Sequence, residues 1–583
     1  MKNEINIPEL LAPCGSPETL GAALQSGADA VYLGGTVLNA RMNAKNFTDI
    51  QLKDAIKKCH ACGVRIYITL NTLVYDKEFD AALRYAALVY EAGADAFITA
   101  DIGLAVMLKK YIPQAELHAS TQTAGHNSDA AVKFAGLGFS RMVCARELSY
   151  GDIKKLAERS PIGIEMFIHG AHCASVSGQC LMSAVMGGRS GNRGECAQPC
   201  RMQYNGHSPR GHGPYVSYPL SLKDLCLAGH ITDIIGSGVA ALKIEGRMKS
   251  KEYVGAVTAA YRRLLDERRN ADKDEINELA KIFSRSGFTD GYFTGKIDGG
   301  MLGIRTETDK NASRDVKSTV KAETETYFRK PIVTEISDRS CNLPENKIKT
   351  EKSDVKSRRG ISARFICAEQ IPEKHNFDHV YLPLEKFDGD KADGIVLPPV
   401  ITDGDMYFVK KSAEAALKRG AKHIYVGNIG HIEFIREYGL TMHGDYRLNI
   451  YNNAAFNYYE KYGFYDILLS PELTQAQIRD IGGGKSVIVY GKIPLMTLKK
   501  PINTDILKDR TNSVFKIVRE CKYDIVYNSV PIYMADRKTE LKNSGIYNAH
   551  FIFSDETKRE AINIINAYES GAPAAGNYRR IKQ

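Results

Sequence analysis

Short apolar runs alternate with segments of helical spacing through the first half of the chain. The runs predict strands at Glu9–Pro13, Ala30–Leu33, Arg65–Leu70, Ala96–Ala100, Glu116–Ser120, Arg141–Ala145, Gly163–His169 and Ala241–Ile244. Between them, apolar residues recur at three- and four-residue intervals, the signature of an amphipathic helix. They predict helices at Pro17–Gly27, Gln51–Gly63, Phe79–Gly93, Leu104–Tyr111, Ala130–Gly138, Tyr150–Glu158 and Glu252–Arg268. Eight strand–helix units of this length predict an α/β fold, a (β/α)8 TIM-type barrel over residues 1–270. Its active site is expected at the C-terminal ends of the strands. A doubly wound sheet is the rival, but no GxGxxG follows the first strand.

The pattern changes over residues 271–360. Phe283–Gly295 is aromatic and rich in glycine, as if packed on the barrel rim. Thr306–Arg359 is polar with balanced charge and reads as a linker or small irregular module, with Tyr327–Ile336 its best strand candidate. A second α/β region over 361–583 has strands predicted at Ile361–Cys367, His379–Leu382, Gly394–Leu397, His423–Val426, Ile467–Leu469 and Ser486–Tyr490. It repeats the first half. His118–Ser149 and His443–Thr474 align without a gap, pairing Asn127 with Asn452, Gly138 with Gly463 and Glu147 with Glu472. Ser237–Tyr261 matches Ser544–Tyr568. The second half therefore reads as a degenerate barrel-like copy. Its counterpart of Lys243–Arg247 is His550–Ser554, without the charges, and no cysteine loop follows Tyr490. Catalysis is expected in the first barrel, with the second as scaffold or docking domain.

The longest break in the pattern follows the seventh strand. It holds Cys173, Cys180, Cys196 and Cys200, and Cys226 comes shortly after. A loop this long inside a compact domain usually carries function, and clustered thiolates bind soft metals and iron–sulfur clusters. Structural zinc usually shows two close pairs of cysteines, whereas only Cys196 and Cys200 are close here. A single iron–sulfur cluster on four of the five thiols is the best physical reading. Cys59 and Cys62 form another close pair, but on an outer helix where packing is the expected role.

On the barrel reading, Cys14, Asn71, Asp101, Ser120, Thr121, Arg146, Glu147 and His169 share one mouth with the cysteine loop and the Glu245–Arg247 turn. Strand alternation puts Lys243 and Glu245 on the same side. They could act as acid and base, clamp a substrate, or form an internal ion pair. His169 just precedes the thiols. Arg189, Arg193 and Arg201 decorate the loop and suit carboxylate or phosphate partners. No HExxH or GxSxG is present, although a cysteine nucleophile paired with His169 is conceivable.

Length and composition fit this picture. A chain of 583 residues exceeds one core. Hydrophobic content of 44% and charged content of 25% are ordinary for a globular protein. No signal-peptide h-region or run of eighteen apolar residues is seen, so a cytoplasmic protein without a membrane partner is expected. In that reducing compartment, clustered cysteines read as metal-binding or catalytic. The net charge of +10 admits a nucleic-acid partner.

Four stretches together, ELLAPCGSPETLGAALQSGADAVYLGG, EMFIHGAHCASVSGQCLMS, GRSGNRGECAQPCR and LKIEGRMKS, resemble the collagenase-like peptidase family U32, over residues 1 to about 300. The resemblance implies oxygen-independent hydroxylation of an RNA base, in ribosomal RNA or at a transfer-RNA wobble uridine. The GRSGNRGECAQPCR form looks closest to the ribosomal RNA branch, which makes a ribosomal cytidine the first expectation. It further implies a 4Fe-4S cluster on cysteines, prephenate as hydroxyl donor, and iron–sulfur assembly proteins as partners. Together with the shared barrel mouth, it points to Cys173, Cys180 and Cys196 as ligands, with Cys226 the expected fourth and Cys200 in reserve. Glu245, Lys243, Arg247, His169 and Glu147 are the expected catalytic residues, and Arg189, Arg193, Arg201, Asn71 and Asp101 the expected substrate contacts. A peptidase and a non-catalytic RNA-binding accessory protein are the alternatives.

Overall fold

The computed structural model describes residues 7–582, except 43, 208–213, 320–328, 334–338, 356–358 and 575. Half of the predicted strand Tyr327–Ile336 lies outside the described residues; its described part, 329–333, is irregular.

The first barrel is closed by eight parallel strands: β1 (Glu9–Pro13), β2 (Ala30–Leu33), β3 (Arg65–Leu70), β4 (Ala96–Thr99), β5 (Glu116–Ala119), β6 (Phe139–Val143), β7 (Gly163–Gly170) and, after the cysteine loop, Ala241–Ile244. Within that loop lie β8 (Tyr204–His207), β9 (Pro214–Ser217) and β10 (Asp224–Cys226), so the closing strand is β11. β10 runs antiparallel on the outer edge of β7, and β12 (Phe288–Thr289) pairs with β10. Inward-facing Leu11, Ala30, Tyr32, Tyr67, Ala96 and Ile98 form an apolar cluster of their own in the lumen. Below it Arg141 bonds Glu9 at 2.7 Å and Glu165 at 3.3 Å, and Lys243 bonds Glu165 at 2.8 Å. Lys243 thus belongs to an internal ion pair.

The second half closes completely. Its strands are β13 (Gly360–Arg364), β14 (His379–Pro383), β15 (Gly394–Val396), β16 (His423–Val426), β17 (Thr441–Gly444), β18 (Asp466–Leu468), β19 (Lys485–Gly491) and, in the closing place, Asn548–Ile552. The excursion after β19 forms β20 (Pro494–Leu498), β21 (Ile506–Lys508), β22 (Val514–Glu520), β23 (Tyr523–Tyr527) and β24 (Ile532–Tyr533), which makes the closing strand β25. Sequence periodicity omits β17, whose TMHG is barely apolar. The duplication reaches side chains. Tyr261 donates to the Ile168 carbonyl and accepts from the Leu227 amide; Tyr568 does the same with Val489 and Met534.

The barrels meet with the C-terminal ends of their strands turned toward each other. Asn127 caps the helix Ser128–Gly136 and donates to Ile401; Asn452 caps Asn453–Glu460 and donates to Val74. Each cap faces a glycine of the other half. A Cβ on Gly430 would lie 2.3 Å from Asn127 Oδ1, and one on Gly103 would lie 2.2 Å from Asn452 Oδ1. The excursion of the second half also reaches the cysteine loop. Val176 and Leu181 donate to Thr497 and Leu495 of β20 at 2.8 Å each, and β21 pairs with β8. Residues 339–355, expected to be a linker, strap the first barrel: Arg339 donates to Ala94, and Arg84 to Pro344, Glu345 and Asn346.

Both crossing glycines are therefore sterically required. Gly103→Ala and Gly430→Ala are each expected to lower stability by ~1–3 kcal/mol through overpacking, read as a shift in the urea unfolding midpoint. Midpoints unchanged from wild type in both variants would contradict this docking.

Candidate functional site

A cavity of about 370 Å3 opens at the C-terminal end of the first barrel. Cys173, Cys180, Cys196 and Cys200 all line it. No three of these sulfurs lie within 4.8 Å of one another, whereas zinc–sulfur bonds of ~2.3 Å would draw ligands around one ion to within about 4.6 Å. Four convergent thiols are a donor set of the kind that soft metals and iron–sulfur clusters take. Burial raises the thiols of Cys180 and Cys196 above their usual range and Cys200 to about 12. As free thiols they are protonated and weak nucleophiles.

Cys226 stands elsewhere. It is the register partner of His169, and its sulfur lies 3.7 Å from the Tyr261 hydroxyl in the layer between strand and helix. His169 shares that layer. A bulge between β7 and β11 inserts Ile168 between register pairs and turns His169 out of the lumen, because an extra residue reverses the alternation. Its Nδ1 lies 3.3 Å from the Tyr261 hydroxyl, and burial pushes its pKa down to about 3. The conceivable pairing of a loop cysteine with His169 is therefore not assembled.

Glu245 points into the cavity, as alternation predicts. Arg41 and Arg146 reach it at 3.1 and 3.0 Å. Burial opposes its charge, yet the two guanidinium groups prevail and hold it at about 2. Arg146 also donates to the Ala171 carbonyl and to Cys173 Sγ at 3.6 Å, and it packs on Phe167. Arg247 is buried with neutral partners: Thr69 at 3.1 Å, Asn39 at 3.0 Å and Asn46 at 2.7 Å. Burial pulls it down to about 10. Arg201 donates to the carbonyls of Leu222 and His172 and lies in the lining. With Lys243, Lys249 and Arg285, seven cations line the cavity against one carboxylate.

The other expected contacts are distributed differently. Asn71 lines the cavity and accepts from Ala40. Arg189 is exposed, and Arg193 is held by both oxygens of Glu78 and by the Leu73 carbonyl. Asp101 caps the helix Ile102–Tyr111 and binds Asn452 across the barrel contact; burial lifts it to about 6. Glu147 is buried beneath the cysteine loop, accepts from the Ser177 amide and hydroxyl, and lies 2.7 Å from His126 Nε2. It is a tether for the loop. Sequence reasoning missed Arg41, His172, Lys249 and Arg285. Lys249 stands two residues beyond Arg247 in a motif already singled out, and Arg41 lies in a long loop after β2 that is as conspicuous as the cysteine loop.

Fold and site together define a duplicated (β/α)8-barrel protein whose first mouth holds four thiols inside a cationic cavity. The model of peptidase family U32 matches residues 15–301 and 395–558, and the chain belongs to that family. The 23S rRNA 5-hydroxycytidine C2501 synthase of Escherichia coli is 38% identical over 49% of this chain and 42% of its own length. The tRNA hydroxylation protein P1 of Bacillus subtilis is 36% identical over 49% of this chain and 71% of its own. A collagenase of Porphyromonas gingivalis is 35% identical over 50% and 75%. The chain thus spans less than half the length of the E. coli relative. No helix among the described residues is long and apolar enough to cross a membrane.

Burial brings Lys249 down to about 7. Its amine is protonated below that pH and neutral above it, whereas an ordinary lysine stays charged to about pH 10. Amine-directed acylation followed by peptide mass spectrometry is expected to show half-maximal labelling of Lys249 near pH 7. A half-point near pH 10, equal to that of surface lysines, would contradict this environment.

Proposed function

We propose that the chain is an enzyme that hydroxylates an RNA base without molecular oxygen, a ribosomal RNA cytidine in the first instance. The observation that carries the reading is the convergence of four thiols and seven cations on one cavity. The names of the E. coli and B. subtilis relatives support RNA as the substrate class. A 4Fe-4S cluster fits the donor set, with Cys173, Cys180, Cys196 and Cys200 as its ligands. Cys200 takes the place first expected for Cys226, because it shares the cavity and Cys226 does not. Replacing a ring C–H by C–OH with a hydroxyl at the oxidation level of water releases two electrons and two protons. When bound, the cluster would supply one-electron redox capacity, so the two electrons would leave in two steps to an external one-electron carrier that the reaction requires.

The residues of the chain serve binding and order. Arg247 and Arg201 are cations with no carboxylate bond among the described residues, so their charge is left for a polyanionic donor such as prephenate or for RNA phosphates. Glu245 stays ionised and orients Arg41 and Arg146 over the mouth. Lys249, neutral above about pH 7, can take up a proton released there. The base must be unstacked to enter, as enzymes that modify bases require. Localisation in the cytoplasm and loading by iron–sulfur assembly proteins belong to the same reading.

Two measurements test it. Anaerobic iron analysis is expected to find iron lost in Cys173→Ala, Cys180→Ala, Cys196→Ala and Cys200→Ala and retained in Cys226→Ala; wild-type iron in any of the first four would sink the ligand set. Nucleoside mass spectrometry of RNA from a deletion strain grown without oxygen is expected to show loss of one hydroxylated pyrimidine. Wild type should restore it, and Glu245→Ala should do so at a rate lower by ~100-fold or more. An unchanged nucleoside profile would overturn the proposed reaction.

A further inference from the structure

The floor of the second barrel differs from that of the first in one residue that the duplication brings out. In the first barrel, His118 on β5 and Arg141 on β6 are register partners, and Arg141 neutralises Glu9 and Glu165. The corresponding register pair in the second barrel is His443 on β17 and Asp466 on β18. A cation has become a carboxylate, and a second acid, Asp393, stands just before β15. Among the described residues neither acid has a lysine or arginine partner; both bond histidines instead.

These histidines converge. His379 opens β14 and His423 opens β16. Gly394, the register partner of His423 on the strand between them, brings no side chain to part them. Their rings lie 3.8 Å apart between centroids. A ring nitrogen of each and a carboxylate oxygen of Asp393 all fall within 4.8 Å of one another, the grouping that a single metal ion requires. His379 Nδ1 is 2.9 Å from Asp393 Oδ2. His423 is oriented from behind: its Nδ1 lies 3.1 Å from His443 Nε2, and His443 Nδ1 bonds Asp466. That arrangement leaves His423 Nε2 directed at Asp393, 3.8 Å away. A ring nitrogen fixed by an outer hydrogen bond while the other faces the donors is how metal-binding histidines are held. The three side chains keep 14–34% of their surface exposed, so an ion can enter from solvent.

We infer that the floor of the second barrel binds a divalent transition-metal ion, zinc by the chemistry of its donors, through His379, His423 and Asp393, with His443 and Asp466 as positioning residues. The site lies at the N-terminal ends of the strands, opposite the thiol cavity, on the face of a barrel that serves stability. The ion would supply the positive charge that Arg141 supplies in the first barrel.

Cobalt titration of the full-length protein tests this, because cobalt reports its ligands. Wild type is expected to show visible d–d absorption that persists when Cys173 and Cys196 are both replaced by alanine, without a near-ultraviolet thiolate band. Asp393→Asn and His423→Ala should abolish that absorption, and His443→Ala should weaken binding by ~10-fold or more. Zinc should raise the melting temperature of wild type and leave that of Asp393→Asn unmoved. Absorption that vanishes with the cysteines, or cobalt binding unchanged in folded Asp393→Asn and His423→Ala, would overturn the inference.

Discussion

A carboxylate kept ionised away from water must be met by cations, and in this protein that demand organises the mouth of the first barrel. Glu245 ends the run that closes the barrel, and the two arginines that answer it come from loops after β2 and β6. Those loops are thereby drawn together over the lumen. Arg146 extends the contact to the Ala171 carbonyl and to Cys173, so the first thiol of the cysteine loop is placed by the same charge pair. The loop is then fixed from below by Glu147 and from above by the backbone of β20.

Duplication explains how such a site can be held by a region with none of its chemistry. Both halves use the same frame: an asparagine cap facing the partner's glycine, a tyrosine bridging the seventh strand to its neighbour, a glycine at the end of that strand. Gly170 and Gly491 both have positive φ, and a Cβ on either would strike a carbonyl of the closing strand at 2.4 and 2.2 Å. The largest divergence is in the excursion after the seventh strand. One copy carries the thiols, and the other carries the strands that pair with them. The second half is therefore part of the site's wall, as the bond from Asn192 in the cysteine loop to Glu472 also shows.

Most of this frame was legible in the sequence. Period-two and period-3.6 patterns are set by burial, and burial is nearly complete in a barrel, so all eight strands of the first half could be read. In the second half the gapless alignment marks the place of β17, which propensity alone does not. The site was less legible because its exceptions are tertiary. Alternation sends Lys243 and Glu245 inward correctly, but one bulge reverses it for His169. Cys226 follows the cysteine loop in sequence, yet added-strand pairing carries it to the outside of β7. Asp101 and Glu147 stand where catalytic residues of barrels stand, yet one caps its own helix and bonds Asn452 of the second half, and the other tethers the cysteine loop. Arg41 and Lys249 have no pattern of their own; only the shape of the cavity gathers them.

The pairing of the cysteine loop with β20 has a consequence for the order of events in the cell. Ser175 and Thr497, which bond each other there, are 322 residues apart in the chain, and Arg579 donates to Val185 across 394. The nascent first barrel can close its own strands while the ribosome is still at work, since every strand from β1 to β11 lies ahead of the second half in the chain. Its thiol loop cannot acquire its upper wall until β20 has been made, 322 residues further along the chain at the Ser175–Thr497 contact. Maturation of the site thus waits on synthesis of the second half, and a product cut off before β20 would carry the cysteines without that enclosure.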